Sequence, residues 1–178
     1  MEVFLQQFLT NIVLNSGVIT VEDELDFELK ETYQLTLRAT DSVTGAYSEV
    51  YLSIKVTDVN DCPPEFPQSQ YTIKVSESVP PATEIFHLEA SDRDSTENAK
   101  IMYMLTQPDG NGTDYFFMDP DEGRIFTKQH LDHETMPTYN LIVTATDSGN
   151  PPLNTTAHIW IKGRLEIIKK GHKKVKQN

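Results

Sequence analysis

The sequence predicts an all-β fold, and three observations carry that reading. Apolar residues make up 38% of the 178 positions, and Val, Ile, Thr and Tyr gather in short runs that alternate apolar with polar, the period of a half-buried strand. No segment of similar length spaces its apolar residues as a helix would. The third observation is an internal repeat. Leu25-Asp26-Phe27-Glu28 through Tyr33-Gln34-Leu35 to Ala39-Thr40-Asp41-Ser42 returns as Leu131-Asp132-His133-Glu134 through Tyr139-Asn140-Leu141 to Ala145-Thr146-Asp147-Ser148, with 10 of 18 positions identical. The offset, 132 − 26 = 106 residues, is the length of a small domain and well beyond the ~20–50 residues of a solenoid repeat.

Along the chain, Val50-Tyr51-Leu52-Ser53-Ile54-Lys55-Val56, Tyr71-Thr72-Ile73-Lys74-Val75 and Tyr139-Asn140-Leu141-Ile142-Val143 are the clearest strands. Gly17 and Ile19 match Gly123 and Ile125 at the same offset, so the repeat extends upstream of its acidic motif. A period of this length makes the chain about one and a half units long. Trp160 is expected in the core of the last strand, and Asp109-Gly110-Asn111-Gly112 reads as a turn between strands.

Between the two copies stands Asp58-Val59-Asn60-Asp61, followed by Cys62-Pro63-Pro64-Glu65-Phe66. Three oxygen-bearing side chains within four residues, on a segment that prolines hold extended, make sense if a cation gathers them. Calcium fits, since it takes six to eight oxygens from carboxylates, amides and carbonyls in irregular geometry.

Charge narrows the partners. The formal net charge is −12, and residues 162–178 carry seven Lys or Arg against one Glu, a net of +6, so residues 1–161 carry −12 − 6 = −18. A body this acidic repels phosphates and excludes nucleic acid as the natural partner. The basic end reads as a solvated, disordered tail. The one cysteine, Cys62, forms no internal disulfide and has no basic cluster or histidine nearby to activate a thiolate. Glu2 stands where a leader peptide would be positive, and no apolar run reaches the ~18 residues of a membrane span.

Taken together, Leu-Asp-x-Glu, Ala-Thr-Asp, Asp92-Arg93-Asp94 and the linker Asp-x-Asn-Asp-x-Pro-Pro-x-Phe resemble the cadherin repeat over roughly residues 8 to 162. The Cys-Pro-Pro form of the linker is most similar to the Fat-type large protocadherins. The resemblance implies a Greek-key, immunoglobulin-like β-sandwich, with one complete copy of seven strands at residues 67–162. Residues 1–61 would be the latter part of a truncated copy ending in a calcium linker at 58–66, and residues 163–178 a tail outside the repeat.

It also implies a ligand set. Asp26 and Glu28 would come from the first copy, Asp58, Asn60 and Asp61 from the linker, and Asp92, Asp94 and Asp147 from the second copy, with backbone carbonyls from Val59, Cys62 and Asn98. Seven of these are carboxylates, which three calcium ions would nearly neutralise. A glutamate that the family places early in each repeat is Glu77 in the second copy and has no counterpart in the first, which weakens the outermost ion. Glu77, Asp132 and Glu134 would begin a further junction, but Ile161 to Lys170 offers neither Asp nor Asn to complete it, and Asp41 is the mirror case.

The function so implied is calcium-dependent cell adhesion by an interior spacer of a long ectodomain. The parent would be anchored in the plasma membrane, facing outside and meeting other cadherin ectodomains homophilically or heterophilically. The composition change at Gly163 also fits a truncated or alternatively spliced, non-adhesive product.

Rival chemistries fail on spacing. Asp92-Arg93-Asp94 opens like a helix–loop–helix calcium loop, but Glu97 stands where that loop needs glycine and Tyr103 where it needs glutamate. Five scattered histidines make no zinc pattern, and neither paired catalytic carboxylates nor a nucleophile motif remains once the repeat has explained the acids. The chain is therefore not read as an enzyme. Asn111-Gly112-Thr113 and Asn154-Thr155-Thr156 are glycosylation acceptors in form, as suits an extracellular surface.

Overall fold

The computed structural model describes residues 2–4, 10–13, 18–21, 24–95, 97–108, 114–132, 134 and 136–164. These form strands, turns and irregular segments with no helix, in two compact units, Met1–Val59 and Asn60–Asn178. The Asp109–Gly112 turn, His133, the Asn111 acceptor and the tail beyond Arg164 lie outside the described residues.

The first unit holds β1 (Glu2–Phe4), β2 (Thr10–Val13), β3 (Val18–Val21), β4 (Thr32–Thr40) and β5 (Tyr47–Lys55). One sheet runs β1-β4-β5, and β2 and β3 make a separate antiparallel pair. The second unit holds β6 (Gln70–Ser76), β7 (Glu84–His87), β8 (Met102–Thr106), β9 (Phe116–Met118), β10 (Arg124–Thr127), β11 (Thr138–Thr146) and β12 (Asn154–Arg164). Its sheets are β6-β12-β11-β8 and β7-β10-β9. All pairings are antiparallel except β6 with β12, which is parallel.

Strand alternation builds the second unit's core. On β11 and β12, Tyr139, Leu141, Val143, Ala145, Ala157, Ile159 and Ile161 all point one way and are at most 2% exposed. Phe116 and Ile125 of the other sheet, with Val75, Leu88, Ala90, Tyr103 and Leu131, complete the cluster. Period 2 corrects one expectation. Because Ile159 and Ile161 face inward, Trp160 faces the other side of the sheet, where its ring stacks on His158 at 5.9 Å.

The sequence repeat is also a repeat of hydrogen-bond register. Thr10 opposes Val21 in the β2–β3 pair, and 106 residues on Phe116 opposes Thr127 in β9–β10. Thr32 opposes Lys55, and Thr138 opposes Lys162. The second connection, residues 147–153, is one residue longer than 41–46, which turns the offset into 107 on the last strand. The Leu-Asp-x-Glu motif makes the same turn twice: the Asp26 carbonyl accepts from Lys30 N–H (3.0 Å) and the Asp132 carbonyl from Met136 N–H (2.8 Å).

Gly123 shows why glycine stands in the repeat. Its φ is +68°, and a Cβ there would collide with the Leu88 carbonyl. Strand β5 ends at Lys55, one residue before the expected Val56, although the Val56 N–H still donates to the Glu31 carbonyl (2.9 Å), the next position in the β4–β5 register. At the other end, β12 runs through Gly163 and Arg164, which oppose Val75 and Ser76.

Candidate metal centre

In the second unit the acidic residues converge because three irregular segments are pinned together. Glu65 and Ser91 exchange backbone hydrogen bonds (2.7 and 2.9 Å), tying the proline-held segment to the loop that carries Asp92 and Asp94. Asp94 folds back on its neighbour, its N–H donating to Asp92 Oδ1 at 3.0 Å. Cys62 N–H then donates to Asp94 Oδ1 at 3.3 Å. Both Asp94 (6% exposed) and Cys62 (8%) are buried.

The third segment is Asp147-Ser148-Gly149-Asn150-Pro151-Pro152, with a cis bond before Pro151. Asp147, 4% exposed, accepts from the N–H groups of Gly149 (3.0 Å) and Leu153 (3.0 and 3.1 Å). Asn60 Nδ2 donates to Asp147 Oδ2 (3.2 Å) and to the Pro151 carbonyl (2.7 Å). The Asn60 amide occupies the space that a side chain at Gly149 would fill, since a Cβ there would overlap it.

These bonds use up one side of each group and leave the other. Asn60 Oδ1, Asp92 Oδ2 and Asp94 Oδ2 are buried without a hydrogen-bond partner. Such atoms are rare in folded proteins and costly, at about 1–3 kcal/mol each or more when charged. Burial is the main force raising the Asp92 carboxyl above its ordinary range, and the Asp94 and Asp147 charges push the same way. The Cys62 thiol is pushed up to about 12, chiefly by burial and further by Asp94 and Asp61 as acceptors. It stays a protonated donor, reaching Asp61 Oδ1 at 3.5 Å. Ligating atoms of Asp61, Cys62 and Asp94 lie within 4.8 Å of one another.

The donor set thus fits a hard, oxygen-seeking cation and not a thiolate-seeking one. Asn60, Asp61, Cys62, Asp92, Asp94 and Asp147 are brought together. Asn98 lies in the same loop as Asp94, its N–H donating to the Ser95 carbonyl at 3.0 Å. Asp26, Glu28, Asp58 and Val59 belong to the first unit. Asp26 is exposed there and caps its own turn, Oδ1 accepting from Leu29 N–H at 2.9 Å; Glu28 and Asp58 are half-buried, and Val59 is 65% exposed. Asp41, the repeat partner of Asp147, is exposed instead. Its carboxylate is taken up by the Val43 N–H (2.8 Å) and the Thr44 hydroxyl (2.8 Å), and those bonds hold its pKa below the ordinary value.

The sequence reading missed Gly149 and Pro151, which position Asn60, and the loop-closing work of Asp147. Gly-Asn-Pro-Pro is legible as a turn; that it receives a residue from position 60 is not.

A family model described as the cadherin domain matches residues 71–162. Protocadherin Fat 2 of Rattus norvegicus is 41% identical over 138 residues, covering 78% of this chain and 3% of its own length. The Fat-like cadherin-related tumor suppressor homolog of Drosophila melanogaster is 36% identical over 148 residues, covering 83% of this chain and 3% of its own. Among solved structures, mouse Cadherin-23 EC22-24 superposes with a TM-score of 0.83 at 32% identity, over 91% of this chain and 51% of that one. The chain therefore spans about 3% of the length of these curated relatives.

Proposed function

The chain belongs to the cadherin domain family, and from that premise we propose that it is an interior, calcium-rigidified spacer of a cell-adhesion ectodomain. The observation that carries the calcium reading is the set of three buried oxygens without partners, Asn60 Oδ1, Asp92 Oδ2 and Asp94 Oδ2. Asn60, Asp92, Asp94 and Asp147 would hold an ion with the carbonyls of Cys62 and Asn98, and Asp61 and the carbonyl of Val59 would serve its neighbours. Asp26, Glu28 and Asp58 join the ligand set through the family pattern alone.

What calcium supplies is charge. Two like charges ~4 Å apart repel by about 1 kcal/mol in water and several times more near a protein surface. The chain's own groups do the rest: the Cys62 N–H fixes Asp94, the Asp94 N–H fixes Asp92, and the Gly149 gap admits Asn60. Modules of this kind outside cells bind calcium at ~10⁻⁴ to 10⁻³ M, so the extracellular medium would keep the site filled. The partners that follow are other cadherin ectodomains, homophilic or heterophilic, met by a membrane-anchored parent protein. No catalytic role is assigned to the carboxylates.

Isothermal titration with calcium chloride tests the metal reading. Saturable binding in that concentration range is expected; absence of both heat and a change in the protein's melting would dismiss it.

A further inference from the structure

Asn154-Thr155-Thr156 has the form of a glycosylation acceptor, and it opens β12 directly after Pro151-Pro152-Leu153. Side chains two apart on a strand share a face. Ala157, Ile159 and Ile161 fill the core and are 0% exposed, and Thr155 falls in step with them. Asn154 and Thr156 therefore stand on the opposite, outward face, and both are exposed. The neighbouring strands leave that face open. Asn154 opposes Thr146 and Thr156 opposes Thr144; one strand further, Thr146 opposes Met102 and Thr144 opposes Met104. Met102 and Met104 are 52% and 57% exposed, so solvent reaches this face across three strands, about 10 Å from β12 to β8. A bulky group on Asn154 has room here, whereas one on the inward side would displace the core.

We propose that Asn154 carries an N-linked oligosaccharide, seated on the outward face of β12. The co-reactant is an oligosaccharide joined through a diphosphate to a polyprenyl lipid. Asn154 Nδ2 bonds to the anomeric carbon of the first sugar, and the bond from that carbon to the diphosphate oxygen breaks. The polyprenyl diphosphate leaves, and Nδ2 gives up one proton. The Thr156 hydroxyl completes the acceptor, which requires Ser or Thr two places after the Asn. The fold then decides whether the product is tolerated, and the exposed position of Asn154 tolerates it. The proposal rests on the ectodomain reading, because the lipid-linked donor is met on the secretory route.

The test expresses the full chain in mammalian cells behind a secretory leader. Chain from the medium and from the cells is treated with an amidase that removes N-glycans, in heavy-oxygen water, and then digested. The fragment 129–162 contains no other acceptor, so conversion of its Asn to heavy-oxygen Asp reports Asn154 alone. Conversion is expected in the majority of secreted molecules, lost in Thr156→Ala and kept in Thr156→Ser. Three results would overturn the proposal: an unmodified Asn154 in both fractions, a modified Asn154 confined to retained chain, or conversion that persists in Thr156→Ala. Because the leader imposes the secretory route, each counts against the site and not against the ectodomain reading, which the calcium titration tests separately.

Discussion

Asn60 owes its orientation to a residue with no side chain. Because a Cβ at Gly149 would overlap the Asn60 amide, Gly149→Ala should expel it, break the bonds to Asp147 and Pro151, and cost about 1–3 kcal/mol. Chemical denaturation without metal measures this, and an unchanged midpoint would mean that the loop yields freely. Asp94 poses a different question, since one of its oxygens serves Cys62 and the other has no partner. Asp94→Asn keeps an acceptor for the Cys62 N–H while removing the charge. It should lower calcium affinity by at least about tenfold with little loss of metal-free stability. Asp26→Ala should cost less affinity, because Asp26 is exposed and already occupied by its own turn. If calorimetry ranked the two the other way, the ligand roles taken from the family pattern would be wrong. The linker and both acidic motifs could be read from sequence because their ligands are local in pattern. The partners that aim them could not, since 87 residues separate Asn60 from Asp147.

At the scale of elements, the same strand pattern meets two fates. Leu141 on β11 is fully buried under a second sheet, so Leu141→Ala should cost about 2–5 kcal/mol. The alternation along β4 and β5 is as regular, but Val50 stays largely exposed. Amide exchange should therefore be slow across β11 and β12 and much faster across β4 and β5, since protection follows burial. Equal protection in both pairs would show that the first unit is covered after all. Period-2 patterning located β5, β6 and β11 to within a few residues, because alternation is a local property. It could not say that β6 lies parallel to β12, nor which apolar faces acquire a cover. Those are pairings between segments far apart, and the misassigned Trp160 belongs to the same class: its position in a strand was legible, but its side of the sheet depended on where Ile159 and Ile161 packed.

For the whole molecule the governing quantity is charge. Residues 1–161 carry −18, and the second unit buries Asp94 and Asp147 near a half-buried Asp92. Simple screening and true coordination both relieve such repulsion, but they differ in dose and in ion. Sodium chloride shortens the screening length to about 8 Å at physiological strength, which does little for buried groups. An ion bound only by the folded state adds RT ln(1 + [L]/Kd), about 2.7 kcal/mol per site at a hundredfold excess. In a domain of this size each kcal/mol moves the melting midpoint by about 4–8 °C. The second unit's transition should therefore rise by about 10–20 °C per well-filled site between chelator and calcium, and by only a small part of that in sodium chloride of matched ionic strength. Scanning calorimetry resolves the comparison. Should sodium chloride reproduce the whole shift, the carboxylates are merely screened, and Asn60, Asp92 and Asp94 are not calcium ligands.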